Sequence, residues 1–369
     1  MLDESVYRKR IEQVRNHLVS ANADFAFLTP APNFQYLTGF NYEMRERLIA
    51  LIISKDSEPH LIAPAFEVTA HASKTWIKDF IPWAEDEDPF SLIADYIGEK
   101  NMGYSVLFDT HMPLSVYWAL EAALGGFQKS ASVSHVIDAM RLTKSDKEIE
   151  LMKNAGRIIN DAVLKAFTDV RIGMSELEVQ QLVHKEIRRQ GACPTFAAIQ
   201  FGENSALPHA EAGNRILKRG DLILMDCGCS IDGYNTDMTR VGVVGPPSEE
   251  IDKIYRTVLR ALETAIEKIT SGMACGTADG IARKVIDDAG YGEYFTHRLG
   301  HGIGLEVHEP PYIVRGNPQE LKPGMCHSIE PGIYIEGKFG IRIEELVCIC
   351  ETGLELLTFM SRDLIQVDQ

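Results

Sequence analysis

Apolar positions near the start of the chain switch between two periods. Ile11, Val14 and Leu18 recur at helical spacing within Ser5 to Ser20, whereas Phe25 to Leu28, Leu48 to Ile53 and Ser105 to Phe108 are short apolar runs bounded by turn residues. Amphipathic stretches such as Pro89 to Ile97 lie between the runs. Strand-length runs interleaved with helical spacing predict a three-layer α/β domain over residues 1–135. The cluster Trp83-Ala-Glu-Asp-Glu-Asp88 reads as a solvated loop.

The pattern then changes. Asp138 to Ser145 reads as a connector, because Ser145 with Glu148 forms a capping box ahead of a long amphipathic helix carrying Ile149, Met152, Ala155, Ile159 and Val163. A second domain is therefore expected over residues 140–369. Ser175 with Glu178 caps a further helix that runs to Gly191, Ser248 opens another that ends before Gly272, and a fourth spans about Thr277 to Gly290. These helices repeat. Laying Gly173-Met174 on Gly272-Met273 also lays Lys185 on Lys284, Ile187 on Ile286, Gly191 on Gly290 and His209 on His308. With an insertion in the second copy, Leu217-Lys-Arg-Gly220 falls on Leu321-Lys-Pro-Gly324, and Asp226 falls on Glu330. The repeated unit is two helices and a β-hairpin, which predicts a pseudo-two-fold domain with strands meeting in a shared sheet and an active site between the halves.

Composition narrows the function classes. A formal net charge of −16 argues against nucleic acid and anionic membrane partners, whose recognition needs clustered Lys and Arg. No apolar run approaches bilayer length, and the charged start lacks a secretory signal. Seven cysteines, an odd number in a long chain, suit reduced thiols in the cytoplasm.

The chemistry lies in the second domain. The run from Phe295 to Glu309 carries His297, His301 and His308 among Gly300, Gly302 and Gly304, a composition suited to one wall of a metal site. Asp221 to Val244 reads as a hairpin turning at Asp232-Gly233. That register pairs Gly228 with Asp237 and Asp226 with Thr239, so Asp226 and Asp237 are diagonal neighbours on one face. Two such aspartates repel unless a cation joins them, and Leu222 to Met225 make the strand too apolar for an exposed one. The second copy repeats the arrangement, with Glu330 in its first strand and Glu344 in its return strand. Four carboxylates converging in a low-dielectric cleft call for two divalent cations.

The ordered motifs Met-Asp226-Cys-Gly, Asn-Thr-Asp237-Met-Thr-Arg, Gly-His301-Gly-Ile-Gly-Leu-Glu-Val-His308-Glu, Ser-Ile-Glu330-Pro-Gly-Ile-Tyr and Ile-Arg-Ile-Glu344 resemble those of the pita-bread metallopeptidases. Within them the chain is similar to the Xaa-Pro dipeptidase (prolidase) and aminopeptidase P branch. Asn33-Phe-Gln-Tyr-Leu-Thr-Gly-Phe40 likewise resembles that branch's creatinase/prolidase-type N-terminal domain, which methionine aminopeptidases lack. The resemblance implies an α/β N-terminal domain ahead of an α+β pita-bread catalytic domain. It implies that Asp226, Asp237, His301, Glu330 and Glu344 are metal ligands, with Asp237 and Glu344 bridging two ions. Glu330 would double as acid/base, and His209 and His308 would contact substrate. One histidine among four carboxylates suits Mn²⁺ or Co²⁺, with Fe²⁺ or Zn²⁺ as alternatives. The implied activity is cleavage of the amide before proline in short peptides, by a cytoplasmic homodimer whose first domain limits access.

Arg342, two residues before Glu344 on the same strand face, is expected to orient a carboxylate, as a substrate-binding residue, or to orient Asp237. Tyr312 stands where some prolidases carry an arginine suited to a dipeptide's free carboxylate, which favours the alternative of an aminopeptidase P acting on longer Xaa-Pro-Xaa peptides. Cys227/Cys229 and Cys348/Cys350 read as small buried residues rather than metal thiolates. Two further rivals share the fold, a metal-free creatinase-like C–N hydrolase and a non-enzymatic binding module. The intact ligand set disfavours the first, and metal content separates the second.

Overall fold

Helix Glu4–Ser20 buries Ile11, Val14 and Leu18, the positions that its spacing singled out. It packs against strands Phe25–Leu28 and Ala50–Ser54. The computed structural model describes residues 2–98, 103–208 and 210–367, and the chain divides into units Met1–Arg141 and Leu142–Gln369. The first unit is a six-stranded mixed sheet in the order Phe80–Trp83, His60–Pro64, Ala50–Ser54, Phe25–Leu28, Tyr104–Phe108, Phe127–Ser132. Phe25, Phe27, Ile52, Ile62 and Val106 alternate onto one face, under Ile93 of helix Pro89–Ile97 and Val116 and Leu120 of helix Leu114–Ala123. The other face takes helix Glu4–Ser20, giving three layers. Of the solvated loop expected over Trp83 to Asp88, residues 84–87 form it, whereas Trp83 ends the strand Phe80–Trp83 and is buried in the core; Asp88 caps the next helix by accepting from the N–H groups of Phe90 and Ser91.

The connector is shorter than its composition suggested. Helix Ser134–Arg141 occupies its first half, because Arg141 is buried and donates through Nη1 to Asn33 Oδ1 at 2.8 Å. The chain then enters helix Asp146–Asp169 through the expected capping box, with the Ser145 N–H donating to Glu148 Oε2 at 2.7 Å.

Backbone hydrogen bonds of the second unit reproduce the repeat position by position. The Gly173 N–H donates to Leu217 O and the Leu217 N–H to Met174 O; in the second copy Gly272 donates to Leu321 O and Leu321 to Met273 O. Gly220 donates to Val244 O, as Gly324 does to Ile349 O. Helices Asp146–Asp169 and Glu176–Arg189 pack on the first hairpin through Ile223, Met225, Cys227 and Cys229. Helices Glu249–Lys268 and Cys275–Asp288 pack on the second hairpin and also cover Leu222 and Leu224 of the first. The first hairpin is thus buried on both faces, which is why its strands read as nearly continuous apolar runs.

The shared sheet expected from the repeat is instead two sheets. One has the order Ile365–Val367, Tyr234–Val244, Leu222–Ile231, Cys193–Phe201; the other has Glu309–Ile313, Gly300–Gly302, Cys326–Ile329, Glu345–Ile349, Leu354–Leu356. A separate ribbon pairs Gly332–Ile335 with Phe339–Arg342. Among the described residues no helix is long and apolar enough to cross a membrane.

Candidate metal centre

The first hairpin has the register that its turn residues predicted. Asp232 and Gly233 both have positive φ, and Gly228 pairs with Asp237 and Asp226 with Thr239. Asp226 and Asp237 therefore project from one face into a cleft of about 810 Å³. Cys227 and Cys229 point into the opposite core, where burial raises both thiols.

The second hairpin departs from continuous strands. Its first arm breaks at Glu330-Pro331 and its return arm at Ile343-Glu344, between the strands Cys326–Ile329 and Gly332–Ile335 and between Phe339–Arg342 and Glu345–Ile349. Pro331 has no N–H to give a ladder. At the breaks the backbone finds other partners, Glu330 N–H donating to Leu299 O at 2.8 Å and Glu344 N–H to Thr239 O at 3.2 Å. The second bond ties the return arm to the first hairpin and brings Glu344 to its carboxylates.

His301 lies in the short strand Gly300–Gly302. Its Nδ1 faces Gly302 O at 3.1 Å, an acceptor only, so the ring proton sits there and Nε2 presents a lone pair. That Nε2 lies 3.3 Å from Glu330 Oε1 and 3.8 Å from Asp237 Oδ2. Burial lowers the imidazole to about 3, so it is neutral. A neutral lone pair turned toward carboxylates is repulsive unless a cation lies between them.

The carboxylates give the same indication. Asp226 Oδ1, Asp237 Oδ1 and Glu344 Oε1 are buried and receive no hydrogen-bond donor among the described residues. Burial, then the charges of Glu344, Asp226 and Glu330, hold Asp237 well above the usual carboxylate range. Burial and then Glu330 and Asp226 do the same to Glu344, while Glu330 is pushed up to about 7, chiefly by burial. Among the described residues, Asp237, His301 and Glu344 bring ligand atoms within 4.8 Å of one another. The orphaned oxygens and the oxygen-rich donor set fit divalent cations.

Arg342 binds this cluster. Its Nη2 donates to Asp226 Oδ2 at 2.6 Å, its Nε to Thr239 Oγ1 at 3.0 Å and its Nη1 to the Tyr334 hydroxyl at 2.8 Å. Thr239 passes the connection on, donating to Glu344 Oε2 at 2.7 Å. The carboxylate that Arg342 orients is thus Asp226 rather than Asp237. Tyr334 donates in turn to His297 Nε2 at 2.9 Å, which makes His297 a support for the wall rather than a ligand. Ser328 Oγ donates to Glu330 Oε1 at 3.0 Å. Thr239, Tyr334 and Ser328 were not singled out from the sequence. Thr239 could have been, since the hairpin register placed it opposite Asp226.

His308 also lines the cleft, edge-on to His301 with ring centroids 4.2 Å apart. His209 lies outside the described residues; its neighbours Pro208 and Ala210 line the cleft, and Gln200 Nε2 holds Ala210 O at 2.7 Å.

Residues 150–351 match metallopeptidase family M24, and residues 10–143 match the creatinase/prolidase N-terminal domain. An Xaa-Pro dipeptidase from Lactobacillus delbrueckii subsp. lactis is 34% identical over 359 residues, covering 96% of this chain and 98% of that one. A recombinant prolidase from Thermococcus sibiricus is similar in structure with a TM-score of 0.92 and 36% identity, over 99% of this chain and 100% of that one. An X-Pro aminopeptidase from Thermotoga maritima MSB8 gives a TM-score of 0.84 and 32% identity, over 94% of this chain and 98% of that one.

Proposed function

The chain belongs to metallopeptidase family M24, with a creatinase/prolidase N-terminal domain ahead of a pita-bread catalytic domain, and from that premise we propose that it hydrolyses the amide preceding proline in dipeptides. The observation that carries the reading is the set of buried carboxylate oxygens that receive no donor among the described residues, Asp226 Oδ1, Asp237 Oδ1 and Glu344 Oε1, in one cluster with His301. Asp226, Asp237, His301, Glu330 and Glu344 would hold two divalent ions, Mn²⁺ first, with Co²⁺, Fe²⁺ and Zn²⁺ as alternatives. Bound there, such ions polarise a carbonyl and lower the pKa of water toward neutrality.

The remaining work falls to the chain's own groups. Glu330 Oε1 is engaged by Ser328, which leaves Oε2 to take a proton and return it to the leaving proline nitrogen. His308, with His209, donates to the substrate carbonyl oxygen as it gains charge. Arg342 positions Asp226 directly and Glu344 through Thr239. The amide before proline has no N–H, and the small apolar side chains of Ala197, Ala198, Ala210 and Ala212 leave room for a ring.

Tyr312 in place of an arginine favours a second reading, an aminopeptidase P acting on longer peptides. On either reading the protein is a cytoplasmic homodimer, its thiols all free, and its first unit limits access. Protein stripped of metal and reloaded with Mn²⁺ or Co²⁺ should cleave Ala-Pro and Leu-Pro faster than an Xaa-Pro-Xaa peptide, and Asp226→Ala should abolish turnover. Undiminished activity in that variant, or after stripping, would overturn the mechanism.

A further inference from the structure

A dipeptide brings two charged ends into this cleft. Its free carboxylate needs a cation. Among the described residues, two arginines line the cleft, Arg298 and Arg342. Arg342 is committed to Asp226, Thr239 and Tyr334. Arg298 is half-buried, and among the described residues its guanidinium makes no hydrogen bond or ion pair.

It is nevertheless held in place. The Arg298 guanidinium carbon lies 4.5 Å from the centroid of the Tyr312 ring. Tyr312 pairs with His301 across the strands Gly300–Gly302 and Glu309–Ile313, so the stacked pair sits beside the metal wall. The backbone on both sides of Arg298 is pinned as well. Arg283 Nη2 donates to His297 O at 2.8 Å, and the Leu299 N–H donates to Asp279 Oδ1 at 3.0 Å. Stacking on an aromatic face leaves the edge of a guanidinium, with its paired N–H donors, open to a carboxylate.

We infer that Arg298, braced on Tyr312, pairs with the free C-terminal carboxylate of the substrate and so makes the cleft selective for dipeptides. This rests on the Xaa-Pro peptidase reading above and deepens it: the tyrosine that stands in place of one arginine is the platform for another.

The test compares Ala-Pro, Ala-Pro amide, Ala-Pro-Ala and Asp-Pro with wild type, Arg298→Ala and Arg298→Lys. Wild type should prefer Ala-Pro to its amide. Arg298→Ala should lower kcat/KM for Ala-Pro on the order of 10²-fold, mainly through KM, and leave the amide and tripeptide unchanged, because deleting one partner of a desolvated charge pair has an effect of that size. Arg298→Lys should recover part of the loss. Equal losses on Ala-Pro and its amide would mean a merely structural role, and a loss confined to Asp-Pro would mean a grip on the first side chain; either overturns the assignment. Calorimetric binding of Ala-Pro and its amide to Glu330→Gln, with and without Arg298→Ala, reads the pairing without turnover. A chain that cleaves no Xaa-Pro peptide would sink the peptidase reading, whereas carboxylate-dependent binding lost with Arg298 would still support the pairing. Absence of such binding would overturn it.

Discussion

Thr239 shows how one hydroxyl can couple two halves of a centre. It accepts from Arg342 and donates to Glu344, so it fixes both the guanidinium and a carboxylate whose second oxygen receives no donor among the described residues. Thr239→Val keeps the shape and removes the relay. Titration calorimetry should show Mn²⁺ affinity falling by about 10–100-fold, the usual effect of losing an outer-shell partner. Glu330 sets the pH behaviour at the same scale. Burial lifts its folded pKa to about 7 from an ordinary 4.5, so between those values the folded, metal-free chain binds more protons than the unfolded one. Stability of the metal-free protein therefore falls as pH rises through that window, and metal binding must displace the proton. Mn²⁺ affinity should rise with pH through that window, by at least about tenfold per unit, because binding displaces the protons that burial holds on Glu330, Asp237 and Glu344. A pH-independent affinity would show that these three carboxyls do not ligate.

The hairpins make the centre, and a buried arginine joins them. Arg240 is 1% exposed; its Nη1 donates to Thr239 O and Glu344 O, and its Nη2 to Glu345 Oε1 at 2.6 Å. It clamps the break in the second hairpin onto the continuous strand of the first. Arg240→Met would strip Glu345 of that buried partner, leaving it Arg362 and Thr358. Chemical denaturation should show a loss of about 3 kcal/mol, typical of one partner removed from a buried pair. At this scale the first hairpin was legible to the register, because the Asp-Gly turn permits one pairing and alternation then assigns every side chain. The second was legible in its residues and not in its shape. Pro331 announces that a ladder bond is missing, but the partners that replace it, Leu299 O and Thr239 O, are distant in sequence.

For the whole molecule, all the described residues lining the cleft belong to the second unit. A fragment of residues 142–369 should therefore bind Mn²⁺ as the full chain does. If the first unit limits access and carries dimerisation, that fragment should sediment as a monomer and accept longer Xaa-Pro peptides than the parent. Unchanged peptide-length preference would argue against that role. The sequence by itself determined what local pattern and repetition can carry: helix starts at Ser145 and Ser175, two related halves, and the placing of Asp226 and Asp237 on one strand face. Only the tertiary structure decided which groups meet across those halves. Arg342 turned to Asp226 rather than Asp237, Arg240 became the joint, the strands divided into two sheets and a ribbon, and Arg298 came to rest on Tyr312. The reason is physical. Periodicity and turn chemistry act over a few neighbouring residues, whereas a buried polar group takes whichever partner the packed chain brings within hydrogen-bonding reach.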